Sequence, residues 1–258
     1  MLLAIDAGNT QTHVGMFREN ELVEHWRLAT VRDATADRLA SELSGLLGLR
    51  DLRLGDVDGA IVSSVVPQLG HEYEGVSERY LDGALALVGP QLRTGMPIRI
   101  DNPRELGPDR LVNAVAAYER CGAACIVADF GTTINYDVVS AEGEYLGGSI
   151  APGVEISLEA LSRRAARLFT IDLDAPSEVI GRSTQAALRS GVVYGFAGQV
   201  DGIVNRIIAA MGADPDHVSV VVTGTYPEAV IDHCETITAR DPFLTLTGLR
   251  LVHERNHD

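Results

Sequence analysis

The sequence predicts an α/β protein built from two similar halves. Three observations carry that prediction. Short apolar runs alternate with helical stretches along most of the 258 residues. The opening run, MLLAIDAGNT, ends in Asp6, Gly8, Asn9 and Thr10, and a later run, ACIVADFGTT, ends in Asp129, Gly131, Thr132 and Thr133. Asp6, Gly8 and Thr10 align with Asp129, Gly131 and Thr133 at a constant offset of 123 residues, about half the chain. A repeat of that length implies two similar domains, each opening with its own strand meander. The boundary falls near residues 116–122, giving domains at 1–118 and 119–258.

The elements follow in order. LLAIDAGNTQTHVGMFRENELVEHWRLAT reads as three strands punctuated by Gly8, Gly15 and Asn20. ADRLASELSGLLGL puts Leu39, Leu43, Leu46 and Leu47 at helical spacing. DGAIVSSVVP is a buried strand ended by Pro67, HEYEGVSERYLDGAL is helical, and ALALVG is a further strand. A helix over DRLVNAVAAYERCG is opened by Gly107 and Pro108, proline being favoured at the first helical position. ACIVADFGTTINYDVVSAEGEYLGGSIAP repeats the opening meander. A helix near 154–168 precedes a long one over STQAALRSGVVYGFAGQVDGIVNRIIAAMG, with Ser183 as its N-cap. Gly191, Gly195, Gly198 and Gly202 share one face of that helix. Each costs about 1 kcal/mol relative to alanine. Close approach of another helix, at a domain or subunit interface, would offset that cost. The last strand signal, HVSVVVTGT, ends at Gly224.

Composition narrows the function. The net charge of -15 argues against nucleic acid and anionic membranes, both of which require a basic surface. No run is long and apolar enough to span a bilayer, and MLLAIDAG turns acidic too soon for a signal peptide, so a cytoplasmic protein is expected. Cys121, Cys125 and Cys234 are odd in number and form no C-x-x-C pair, which fits reduced structural thiols. His233 beside Cys234 is at most half a metal site. All 21 basic residues are arginine, so a Walker A loop and lysine Schiff-base chemistry are excluded.

Without lysine, a phosphate must be held by backbone N–H groups, hydroxyls, amides and a metal ion. The D-x-G-N-T turn supplies several of these. Gly8 permits close backbone approach, Asn9 and Thr10 donate, and Asp6 suits a cation or its bound water rather than the phosphate it would repel. One D-x-G turn is commonly just a turn. Two in register, at the same edge of repeated units, favour a paired phosphate site. ELGPDRLVNA leaves both readings open: Asp109 is either a helix-dipole partner or a general base, with Arg110 near a substrate carboxylate.

Seven blocks are collectively familiar: DAGNT at 6–10, GPDR at 107–110, DFGT at 129–132, GGSIAPG at 147–153, IGRST at 180–184, SGVVYGFAGQVDGI at 190–203 and LTLTGLRLVHERN at 244–256. In these, and over nearly its whole length, the chain resembles type III pantothenate kinases. The resemblance implies two ribonuclease H-like domains of the acetate kinase/Hsp70/actin superfamily with a cleft between them. It implies ATP-dependent phosphorylation of pantothenate to 4'-phosphopantothenate by a homodimer. ATP would lie along Asp6, Ala7, Gly8, Asn9, Thr10, Gln11, Thr12 and His13 and at Thr132. Asp109 would be the base, and Gly107, Pro108, Asp109, Arg110 and Thr184 would contact pantothenate. Asp129 would sit at a monovalent cation, potassium or ammonium. Magnesium would travel with ATP, with Asp6 a possible holder through water. The chain departs from the commoner family pattern at Ile100, Pro108, Ile134, Asn135 and Thr225, Pro108 keeping Asp109 and Arg110 in place at a helix start. A kinase of another small hydroxy-acid or sugar, or a non-enzymatic paralogue, stays open on the residues alone, although Asp6, Asp109 and Asp129 are all present.

Overall fold

The computed structural model describes residues 1–81, 85–164 and 172–257. The chain divides into two compact units. The first comprises residues 1–96, 101–116 and 244–258, and the second residues 97–100 and 117–243.

In the first unit, β1 (Leu2–Ala7), β2 (Gln11–Arg18) and β3 (Glu21–Ala29) form the expected antiparallel meander. β4 (Gly59–Ser64) and β5 (Leu85–Leu87) extend it in parallel, giving the order β3-β2-β1-β4-β5. β1 is central, and Leu3, Ala4, Ile5 and Ala7 are all buried, because the mixed sheet is covered on both faces. Each fully buried Leu or Ile contributes about 1.5–3 kcal/mol. α1 (Ala36–Gly48) buries Leu39, Leu43 and Leu47 against this sheet, while Leu46 stays partly exposed. α2 begins at Pro67 and ends at Tyr80. The proline that ends the strand signal therefore opens the helix, where its missing N–H costs nothing. The last part of the predicted helix, residues 82–84, lies outside the described residues.

α3 (Pro108–Cys121) and α7 (Leu244–His257) complete this unit, the division between units falling inside α3. α7 packs on β1, β2 and β4. A Cβ at Gly248 would fall onto the carbonyl oxygen of Val112, so the backbones of α7 and α3 touch there and only glycine fits.

The second unit repeats the plan. β6 (Cys125–Phe130), β7 (Thr133–Val139) and β8 (Tyr145–Pro152) form the antiparallel meander, and β9 (Ser219–Gly224) and β10 (Ala239–Arg240) add in parallel. Read as β8-β7-β6-β9-β10, the order matches the first sheet strand for strand. α4 (Val154–Arg164) covers the first part of the predicted 154–168 helix, the rest lying outside the described residues. α5 (Thr184–Met211) starts at Ser183, whose hydroxyl accepts the N–H of Ala186 at 3.1 Å, as the capping pattern predicts. It buries Val193, Ala197, Val200, Val204 and Ile208 and ends at Gly212 with a left-handed φ of 64°. α6 (Glu228–Ile231) is a single turn. Asp201 of α5 anchors the following loop, accepting from the Glu235 and Thr236 N–H groups at 3.0 and 2.9 Å. Among the described residues, no helix is long and apolar enough to cross a membrane.

Candidate active site

Both D-x-G turns lie at the carboxyl end of the central strand of their sheet, the place where α/β folds bind ligands. In the first unit, Asp6 and Ala7 close β1, Gly8, Asn9 and Thr10 form the turn, and Gln11, Thr12 and His13 open β2. The Gly8 N–H donates to the Gln11 carbonyl at 3.0 Å, and a Cβ at Gly8 would sit 2.9 Å from that oxygen. Asn9 and Thr10 are exposed. Thr30 donates its N–H to the Thr10 carbonyl at 2.9 Å, and the hydroxyls of Thr12 and Thr30 lie 2.9 Å apart. Burial, with Arg27 and His25 nearby, holds the His13 imidazole below its ordinary pKa. It is therefore neutral at neutral pH and brings no charge to a phosphate. A cation touches the turn: Arg32 donates to the Asn9 carbonyl and side-chain oxygen.

In the second unit, Asp129 is the penultimate residue of β6, and Gly131 and Thr132 form the turn. This turn is one residue shorter than the first, with the Gly131 N–H donating to the Thr133 carbonyl at 2.9 Å. Backbone encloses it. Gly153 donates its N–H to Thr132 at 3.0 Å, and a Cβ there would sit 2.6 Å from the Thr132 oxygen. Gly224, at φ 84°, leaves room for the Asp129 carboxylate, since a Cβ would come within 2.5 Å of its Oδ1. Two of the departures from the commoner family pattern flank this aspartate. Asn135 faces it across the β6–β7 pair, and the Thr225 N–H donates to Phe130 at 2.7 Å.

Strand register adds a feature that sequence reasoning missed. Asp6 is level with Ser63 on β4, and Asp129 is level with Thr223 on β9. Ser63 and Thr223 are buried, and both hydroxyl oxygens lack a hydrogen-bond partner. The serines are visible in the sequence, but only pairing shows which one stands beside the aspartate.

Gly107, Pro108, Asp109 and Arg110 form the start of α3 in the first unit. Burial pushes the Asp109 carboxyl above its ordinary pKa, outweighing the backbone N–H groups at the helix start and the Arg110 guanidinium, which pull the other way. Its Oδ1 is buried with no hydrogen-bond partner. Gly107 keeps that oxygen uncovered, because any Cβ there would collide with it. A buried carboxylate with one oxygen unpartnered, kept basic by its surroundings, is suited to take a proton. Thr184, the first residue of α5, is exposed and belongs to the second unit, with Asp129 and Thr132.

α5 also has an exposed face. A Cβ at Gly191, Gly195 or Gly198 would meet nothing within 4 Å. Beside these glycines, Pro152, Ser157, Leu161 and Phe196 line a cavity of about 440 Å³. Ile150, Ile156 and Leu161 are exposed large hydrophobics.

A family model described as type III pantothenate kinase matches residues 2–206. The type III pantothenate kinase of Streptomyces avermitilis is 51% identical over 261 residues, covering 99% of this chain and 98% of its own length. Among solved structures, the (R)-2-hydroxyglutaryl-CoA dehydratase component A of Acidaminococcus fermentans aligns with a TM-score of 0.55 at 14% identity, covering 97% of this chain and 95% of its own. The inorganic polyphosphate/ATP-glucomannokinase of an Arthrobacter species aligns with a TM-score of 0.51 at 14% identity, covering 98% and 97%. At that identity the two structures speak to the fold alone, an α/β fold of two units.

Proposed function

We infer the roles of individual residues from one premise: the chain belongs to the type III pantothenate kinase family, and it phosphorylates pantothenate with ATP in coenzyme A biosynthesis. In this reading Asp109 is the general base. The observation that carries it is the buried, unpartnered Oδ1 on a carboxyl whose pKa is raised. The pantothenate hydroxyl gives its proton to Asp109 as its oxygen attacks the γ-phosphorus. The bond from phosphorus to the bridging oxygen breaks and ADP leaves. Gly107, Pro108, Arg110 and Thr184 contact pantothenate, with Arg110 supplying charge for its carboxylate.

ATP is held along residues 6–13 and at Thr132, where turn N–H groups and hydroxyls surround the phosphates. The oxygen donors beside each turn fit hard cations. Asp6 with Ser63 suits magnesium held through water, and Asp129 with Thr223 suits potassium or ammonium. No cluster of three or more His, Cys, Asp or Glu exists among the described residues, which fits magnesium held mainly by ATP. When bound, these ions neutralise charge on the transferring phosphoryl group. The open glycine face of α5 supports a homodimer, in which a second copy covers the glycines. Dependence on ATP and a role in coenzyme A synthesis support a cytoplasmic enzyme.

Asp109→Asn tests the central assignment. Turnover is expected to fall by about 100-fold or more, the scale of general-base loss, with ATP binding retained. The raised pKa fixes two further signs. In wild type, kcat/KM falls on the acid side at a pH above the ordinary carboxylate range, and the variant loses that limb. Folding favours the protonated carboxyl, so its charge costs stability once pH rises through the folded pKa. Asp109→Asn is therefore expected to melt no lower than wild type at neutral pH. Near-wild-type turnover removes Asp109 from the role.

A further inference from the structure

The first turn is held in place by a residue well outside it. Arg32 follows β3 and lies 23 positions from Asn9, yet its guanidinium contacts that residue three times. Nε and Nη2 reach the Asn9 carbonyl at 3.3 and 3.2 Å, and Nη2 reaches Asn9 Oδ1 at 3.3 Å. Two residues earlier, Thr30 holds the Thr10 carbonyl. The segment after β3 therefore occupies three acceptor oxygens of the turn with donors.

That arrangement has a chemical consequence. A guanidinium can only donate, so the Asn9 amide atom facing it is the oxygen, and the NH2 group points away from it. Carbonyl oxygens left loose in a phosphate turn would repel the ligand, and an amide free to rotate would present oxygen as readily as nitrogen. Arg32 prevents both. Because burial keeps His13 neutral, Arg32 also brings positive charge directly to this turn. Asn9 and Arg32 line an open cavity of about 500 Å³ with Val66, Pro67 and Gln68 at the start of α2, so both residues face accessible space.

We propose that Arg32 is a positioning residue for ATP: by fixing both oxygens of Asn9, it aims the Asn9 NH2 at the polyphosphate. The proposal rests on the reading of residues 6–13 as the ATP turn. The effect belongs to ATP and not to pantothenate, and it passes through Asn9.

The test is a cycle of Arg32→Met, Asn9→Ala and the double variant in the full-length enzyme. ADP release is measured with ATP varied at saturating pantothenate, and the reverse. Arg32→Met is expected to raise the KM for ATP about tenfold, the factor that loss of a charge-assisted hydrogen bond carries. The KM for pantothenate and the melting temperature should not move, because Arg32 is exposed. In the Asn9→Ala background the same change should add less than about twofold, since coupled residues are not additive. Arg32→Lys, whose ammonium cannot fork across both oxygens, should fall between wild type and Arg32→Met. If Asn9→Ala raises the ATP KM and Arg32→Met does not, the proposal falls and the turn reading stands. If the two effects multiply in full, Arg32 does not act through Asn9 and the proposal is wrong. If Asn9→Ala leaves the ATP KM unchanged, the turn reading fails and takes the proposal with it.

Discussion

The two D-x-G turns are copies in topology and differ in how they are held. Each ends the central strand of a five-stranded sheet, with an antiparallel partner on one side and a parallel one on the other. Each aspartate stands level with a buried hydroxyl on the parallel neighbour. The first turn is gripped mainly through side chains, Arg32 on Asn9 and Thr30 on Thr12, beside one backbone bond from Thr30 to the Thr10 carbonyl. The second is gripped by backbone, through the close approach of Gly153 and Gly224. A side-chain grip can be adjusted by substitution without disturbing the fold. A backbone grip cannot, because the residue that allows it is glycine. The two units thus share a strand frame, while each turn has its own means of support.

The difference can be broken most forcefully at Gly224. A Cβ there would fall onto the Phe130 carbonyl and crowd Asp129, in a backbone conformation that disfavours side chains. Gly224→Ala is expected to cost about 3 kcal/mol, combining strain and overpacking, and to lower the melting temperature by several degrees. Gly8→Ala, a change inside the first turn, meets a single oxygen at 2.9 Å and requires no left-handed φ. Its cost should stay near the low end of overpacking, about 1 kcal/mol, measured by denaturant unfolding. Thr12→Val is the mildest change. It removes the hydroxyl pair with Thr30 and should cost about 1 kcal/mol or less. Equal losses for Gly8→Ala and Gly224→Ala would mean that the two turns are held alike.

The repeated plan was legible because strand signals and turn residues are local. The offset between Asp6 and Asp129 anticipated two matching sheets, and Ser183 marked the start of α5 correctly. What the sequence could not reveal depends on contacts between distant residues. Nothing in VRDATADR shows that Arg32 reaches back to Asn9. No pattern shows that α7 returns to the first unit, or that Gly248 is glycine because it rests on Val112. The Asp129–Thr223 pairing needs the β6–β9 register, which joins strands 94 residues apart. The glycines of α5 were visible as a face requiring compensation. Within one chain, Gly191, Gly195 and Gly198 have none, whereas Gly248, which carried no such pattern, does.

We propose a division of labour between the turns: Asp6 serves the phosphates of ATP and Asp129 a monovalent cation. The most direct test compares Asp6→Asn with Asp129→Asn by ADP release in potassium, ammonium and sodium, with magnesium varied. Asp129→Asn is expected to abolish the advantage of potassium or ammonium over sodium. Asp6→Asn should lower turnover and raise the magnesium requirement while leaving the ratio between salts intact. Two variants with the same salt profile, or an Asp129→Asn enzyme that still distinguishes potassium from sodium as wild type does, would contradict the division of labour between the turns.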